Sequence, residues 1–281
     1  MRHTCCSPTH LQYSSGVDIF VAGKPSICHT YIETSNTYLV VKTPNIRGSI
    51  QPFVSGKKYF TVRALSKYLT KRSFRFKEQT VRQYLYDFKG KGIIHDAGYG
   101  WYSTIEQPFG LDTSPVADIV NVLAKKFPLL TFSCWTTAQI QGYSHHIPVR
   151  FVTLLYVDID DVMPLFEFLR EDNFNVFANP GKAETQKQFM IKERTIVIRP
   201  QISEAPVEEH HATIEKLLVD LFVEKDRLML MDGAEYGRVA RNILGSARIN
   251  MARMLRYARR REMHQNLLNV LHRVEPNLVR E

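Results

Sequence analysis

Several residue clusters in this chain are of types that could do chemistry. Asp158, Asp160 and Asp161 follow an apolar run from Phe151 to Val157, and an Asp-x-Asp at the end of a buried strand is a way to hold Mg²⁺ for nucleotidyl transfer. The same acids fall in the first turn of the helix expected next, where carboxylates gain about 0.3–1 kcal/mol from the helix dipole. Helix-start acids are the preferred reading, and a Mg²⁺-dependent nucleotidyltransferase using Asp158 and Asp160 is the alternative. His145-His146 and His210-His211 are adjacent pairs, and neighbours on a strand point to opposite faces, a poor geometry for ligands. Cys5, Cys6 and His10 would need a fourth ligand to close a zinc site. Ser133, Cys134 and Ser144 have no His or Asp at a spacing that singles out a nucleophile. GxGxxG, GxxxxGK[ST] and HExxH motifs do not occur. No catalytic residue, metal or cofactor is therefore expected.

A different chemistry is written between Lys71 and Lys89. Gln79, Arg82, Gln83 and Tyr86 fall on the side of a helical run opposite Val81, Leu85 and Phe88. Gln pairs bidentately with adenine and Arg with guanine, so this stripe could read base edges in a major groove. Lys71, Arg72, Arg75 and Lys77 surround the turn before it, and Lys89 ends it, where cations would neutralise phosphates.

The elements that must position these residues follow from periodicity. Thr61 is a candidate N-cap for a helix carrying Ala64, Leu65, Tyr68 and Leu69 inward. The stripe-bearing helix ends at Gly90 and Gly92, and a hairpin turning at Asp96-Ala97-Gly98 follows, with Phe60 in a short strand ahead of the first helix. Helix, turn, helix and two-stranded wing together predict a winged helix-turn-helix over residues 53–106, behind an arm of residues 1–52. Use of such a module as a protein-interaction scaffold, without DNA, is the second alternative. A Pro/Gly cluster near residues 107–114 separates it from residues 113–281, where helices alternate with strands at 151–157, 175–178 and 195–199. The expected class is thus α/β (α+β), a winged helix followed by a small-sheet domain with a helical tail.

Charge supports this division. The formal net charge is +9, from 37 Lys+Arg and 28 Asp+Glu. Residues 56–95 hold eleven basic side chains against Glu78 and Asp87 (+9), residues 96–235 hold 12 basic against 21 acidic (−9), and residues 236–261 hold eight arginines and no acid (+8). Segregation of this kind is an electrostatic footprint for a polyanion. In the tail, Arg248, Arg253, Arg256, Arg259, Arg260 and Arg261 oppose an inner face of Val239, Ile243, Met254 and Leu255. They could form a second phosphate-binding surface, cover the acidic domain, or present a surface to tRNA or nucleotide.

With 44% hydrophobic and 23% charged residues, neither wholesale disorder nor a fibrous repeat is a reasonable reading. No apolar stretch approaches the roughly 20 residues that span a bilayer, and Met1 to Gly16 has no apolar core of a secretory signal. A cytoplasmic protein with reduced thiols and no membrane partner is expected.

Two further segments carry a resemblance. Cys134-Trp135-Thr136-Thr137-Ala138-Gln139-Ile140-Gln141-Gly142, followed by Pro148-Val149-Arg150, and later Ala212-Thr213-Ile214-Glu215-Lys216-Leu217-Leu218-Val219-Asp220-Leu221-Phe222, resemble the AbiEi family, antitoxins of type IV toxin–antitoxin systems. The resemblance spans roughly residues 55 to 270. It implies a bacterial, cytoplasmic autorepressor that binds double-stranded operator DNA, and a C-terminal domain opposing a nucleotidyltransferase-like toxin without necessarily forming a stable complex. In the second segment Ile214, Leu217, Leu218, Leu221 and Phe222 form an apolar stripe, which predicts Glu215, Lys216 and Asp220 on the outside.

Overall fold

A computed structural model describes residues 9–12, 18–24, 27–34, 37–42, 46–72, 74, 77–145, 150–275 and 278–279. It is a mixed α/β protein. The opening segment, expected as an arm, contains strands β1 (Thr9–Gln12), β2 (Asp18–Lys24), β3 (Ile27–Thr34) and β4 (Thr37–Lys42), paired antiparallel in sequence order. Helix α1 (Ile46–Ser55) follows and places Ile50, Phe53 and Val54 in a core shared with the next elements, so that core begins before residue 53.

Strand β5 (Tyr59–Thr61) leads into α2 (Val62–Lys71), whose start is fixed by Thr61 Oγ1 accepting from the Ala64 amide at 3.0 Å. Helix α3 (Glu78–Gly90) buries Val81, Leu85 and Phe88. Strands β6 (His95–Asp96) and β7 (Trp101–Ser103) form a short hairpin, and β5 pairs with β7.

The remaining chain is built on a six-stranded sheet. A 3₁₀ turn (Ser114–Val116) and α4 (Ala117–Lys126) precede β8 (Phe132–Thr136), and a second 3₁₀ segment (Thr137–Tyr143) leads towards β9 (Val152–Val157). Then come a 3₁₀ turn (Ile159–Asp161), α5 (Val162–Glu171), β10 (Asn175–Ala178), α6 (Lys182–Gln188), β11 (Thr195–Pro200), β12 (Val207–Glu208) and β13 (His211–Ala212). The strand order is β10-β11-β9-β8-β13-β12, with β10, β11 and β9 parallel and β8 antiparallel to β9. Period-2 alternation splits its side chains between two cores. Leu155, Val157, Ile196 and Ile198 meet α4 and α5, whereas Trp135, Leu154, Tyr156 and Val197 belong to the core filled by the C-terminal helices.

Those helices are α7 (Ile214–Arg227), α8 (Gly233–Ser246), α9 (Met251–Arg260) and α10 (His264–Val274), and β14 (Leu278–Val279) then pairs with β5. The arginine-rich run is two helices, broken at Ala247 to Asn250, where Asn250 caps α9 by accepting from the Arg253 amide. Tyr59, Ala97 and Trp101 reach into the C-terminal core, and the Tyr59 hydroxyl bridges the Ala247 carbonyl and the Ile249 amide, each at 3.1 Å.

Helix α7 corrects the sequence reading. Glu215, Lys216 and Asp220 are buried, not outside. The sheet covers one side of α7 and α9 packs on the other, so its polar positions face protein on both sides and must satisfy one another. Lys216 Nζ meets Asp220 Oδ2 at 2.5 Å, Tyr257 donates to Asp220 Oδ1 at 2.8 Å, and Arg261 pairs with the same carboxylate. One turn on, Glu224 Oε2 accepts from Arg199 Nη2 at 2.6 Å, and Arg199 Nη1 also donates to the Pro180 carbonyl. Among the described residues no helix is long and apolar enough to cross a membrane.

Candidate nucleic-acid interface

Helix α3 turns one face into its core and the other to solvent. Gln79, Arg82, Gln83 and Tyr86, at i, i+3, i+4 and i+7, are all exposed, Tyr86 by 70%, and Lys89 continues the stripe one turn on. Lys71, Arg72 and Lys77 are exposed around the helix–helix turn, with the Arg72 guanidinium 4.7 Å from the centre of the Tyr68 ring. Arg75 lies outside the described residues. Local periodicity groups the stripe on one side of α3, and its exposure shows that water, not a second layer, lies beyond it.

Carboxylates take a larger part here than the stripe's composition suggests. Glu78, in the first turn of α3, accepts from Arg82 Nε and Nη2 at 3.0 and 2.7 Å and holds the guanidinium above its ordinary value. Asp87 receives Arg47 of α1 at 2.9 Å and Gln83 Nε2 at 3.5 Å, and Lys89 pairs with Asp96 of the hairpin, which raises its pKa through that hydrogen bond. Exposed pairs of this kind contribute about 0.2–1 kcal/mol, so a phosphate or base can compete for these cations.

The tail arginines divide. Arg248 is a clamp: it donates from Nη1 to the carbonyls of Ile105 and Glu106, while its backbone pairs with Gln107 and Phe109 across the segment joining α3's module to the sheet. Arg253 meets Glu208 at 3.4 Å and Arg260 pairs with Glu204, both acids of the middle of the chain. Arg256 and Arg259 are exposed, and Arg259 Nη2 lies 3.5 Å from His264 Nε2, an imidazole instead of a carboxylate. Cover for the acidic domain and an outward cationic face are thus both realised, by different arginines. Arg261, expected on the outer cationic face, is instead drawn into the core by the buried carboxylates of Asp220 and Glu224, which spacing alone could not reveal.

The other chemistry-bearing residues are accounted for singly. Asp158 and Asp160 are exposed at the 3₁₀ turn before α5, where the Asp158 carbonyl accepts from the Asp161 amide. The His210 ring stacks on Phe132 at 4.0 Å with its Nδ1 3.3 Å from the Phe132 carbonyl. His146, Cys5 and Cys6 lie outside the described residues. Burial pushes the Cys134 thiol up to about 12, so it is a packing residue and no nucleophile near neutral pH. Ser144 donates to Glu235 at 2.6 Å. Among the described residues no group of three His, Cys, Asp or Glu side chains is arranged to hold a metal ion.

The motifs at Cys134–Gly142 and Ala212–Phe222 are packing devices. Thr136 and Gln139 form a capping box at the start of the 3₁₀ segment, and Gln139 Nε2 donates to the Asp112 carbonyl at 2.6 Å. Residues 80–277, most of the chain, match the model of a family described as a family of unknown function (DUF6577). A search of curated proteins finds no match.

Proposed function

The chain belongs to this DUF6577 family, and we propose that it is a sequence-specific double-stranded DNA-binding regulator whose reading head is a winged helix-turn-helix made of α2, α3 and the β6–β7 hairpin. The observation that carries the proposal is the outward stripe Gln79, Arg82, Gln83 and Tyr86 on a helix whose opposite face is core, set within a segment of net charge +9. An α-helix fits the major groove, and the stripe's amide and guanidinium groups match purine edges. Lys71, Arg72 and Lys77 stand where a second helix presents flanking phosphate contacts. The protein works in the cytoplasm as a repressor of its own operon, and its C-terminal domain opposes a nucleotidyltransferase-like toxin. That antitoxin role is supported by the AbiEi resemblance of Cys134–Gly142 and Ala212–Phe222 and assigns no catalytic residue to this chain.

Selection from a randomised duplex pool with the full chain tests the reading. An enriched motif is expected, bound with a log–log salt slope near −5 if about six phosphates are neutralised. Arg82→Ala with Gln83→Ala should erase the base preference, each lost bidentate contact removing about 1–3 kcal/mol of discrimination, while salt-dependent binding persists. No enrichment, or a slope near zero, would sink it.

A further inference from the structure

A winged module grips the backbone beside the recognition helix with a cationic hairpin, and this hairpin carries no Lys or Arg for that purpose. From Gly92 to Ala124 the sequence contains neither Lys nor Arg. The hairpin tip is also engaged elsewhere. Ala97 is buried and its carbonyl accepts from the Ala252 amide at 3.4 Å. Gly98, at φ +97°, lies so close to the start of α9 that a Cβ there would fall 2.6 Å from the Ala252 Cβ and closer still to Asn250 Oδ1. Tyr99, 90% exposed, projects from the junction.

Helix α9 therefore starts where the wing stops. Ala252, which touches the hairpin, is followed at i+4 and i+7 by Arg256 and Arg259, so these lie along one stripe running away from the tip. They are the two arginines of α9 that are exposed and not matched to Glu204 or Glu208.

We propose that α9 takes the place of a cationic wing, with Arg256 and Arg259 binding the backbone phosphates of the same duplex that α3 reads. The inference rests on the DNA-binding proposal and adds that the C-terminal domain is part of the DNA contact. Guanidinium groups suit this role because they bind phosphate bidentately. The tight seat of Gly98 on α9 holds the two grips at a constant separation.

The experiment measures dissociation constants of the full chain for its selected 30-base-pair duplex across 50 to 200 mM salt, a range over which phosphate contacts are resolved. Arg256→Ala with Arg259→Ala should flatten the slope by about 1.8, two phosphates at roughly 0.9 each, and leave the preferred sequence unchanged. Arg256→Lys with Arg259→Lys should restore the slope, and Arg170→Ala on α5 should not alter it. An unchanged slope in the double alanine variant, or an equal flattening in Arg170→Ala, overturns the role of α9 while DNA recognition by α3 stands. Failure of the wild-type chain to bind any duplex overturns both.

Discussion

Helices α3 and α7 carry the same local chemistry, an acid and a base four residues apart, yet put it to opposite uses. In α3 the Glu78–Arg82 pair stands in water, with side chains 63% and 46% exposed. In α7 the Lys216–Asp220 pair has no exposure at all. Desolvated charges are costly unless each has partners, so the α7 pair recruits Tyr257 and Arg261 and cannot be spared for a ligand. The α3 pair costs little to break, which leaves its arginine available. Charge on an exposed helix stays free to meet a ligand, and charge on a doubly covered helix holds layers in register.

The strongest way to break this contrast is Asp220→Ala. It would leave Lys216 and Arg261 buried without their shared carboxylate, and about 3–5 kcal/mol of stability should disappear in urea denaturation. Glu78→Ala on α3 should change stability by no more than about 1 kcal/mol in the same assay. Equal losses would erase the distinction between the two helices. Acid should act in the same direction as Asp220→Ala. Burial alone would raise the Asp220 pKa, but Lys216, Arg261 and the hydrogen bonds outweigh it and hold the carboxyl below its ordinary value. The unfolded carboxyl then takes its proton first as pH falls. The stability from Asp220 is therefore present above the ordinary carboxylate range and is lost as pH drops through the folded value.

A middle-sized effect is expected at the hairpin. Gly98→Ala places a Cβ against α9 at a positive φ, and should cost about 1–3 kcal/mol by clash and strain together. If the melting temperature does not move, the hairpin is not seated on α9. The smallest effect sharpens the comparison from the other side. Glu78→Gln frees Arg82 and removes a carboxylate from the helix proposed to read DNA, so duplex affinity should rise, by up to fivefold for about 1 kcal/mol, with the fold unchanged. Weaker binding would show that Glu78 positions Arg82 for its contact.

Much of this was legible in local pattern. The Thr61 cap, the inward faces of α2 and α3, the hairpin after Gly92 and strands β9, β10 and β11 all follow from residues within one or two turns of each other. Strand β8 was not legible, because Phe132 to Thr136 is buried on both faces and mixes Ser, Cys and Thr with aromatics, leaving no alternation to detect. The break between α8 and α9 was hidden for a similar reason: Ile249 and Met251 continue the apolar content across it and are both buried. Glu215, Lys216 and Asp220 misled because a helix with one apolar stripe and charged flanks looks the same whether water or a second helix lies beyond the charges.

By itself the sequence determined which residues oppose each apolar face and where charge accumulates, since helical and strand periods act over a few residues. Only the tertiary structure decided what each charge meets. Arg199 and Arg261 lie 25 and 37 residues along the chain from Glu224, and it is the stacking of α7 between the sheet and α9 that brings them to it. The same stacking separates the arginines of one run into a clamp at Arg248, a core anchor at Arg261 and an open pair at Arg256 and Arg259, because burial depends on the layer a helix packs against and not on its own periodicity.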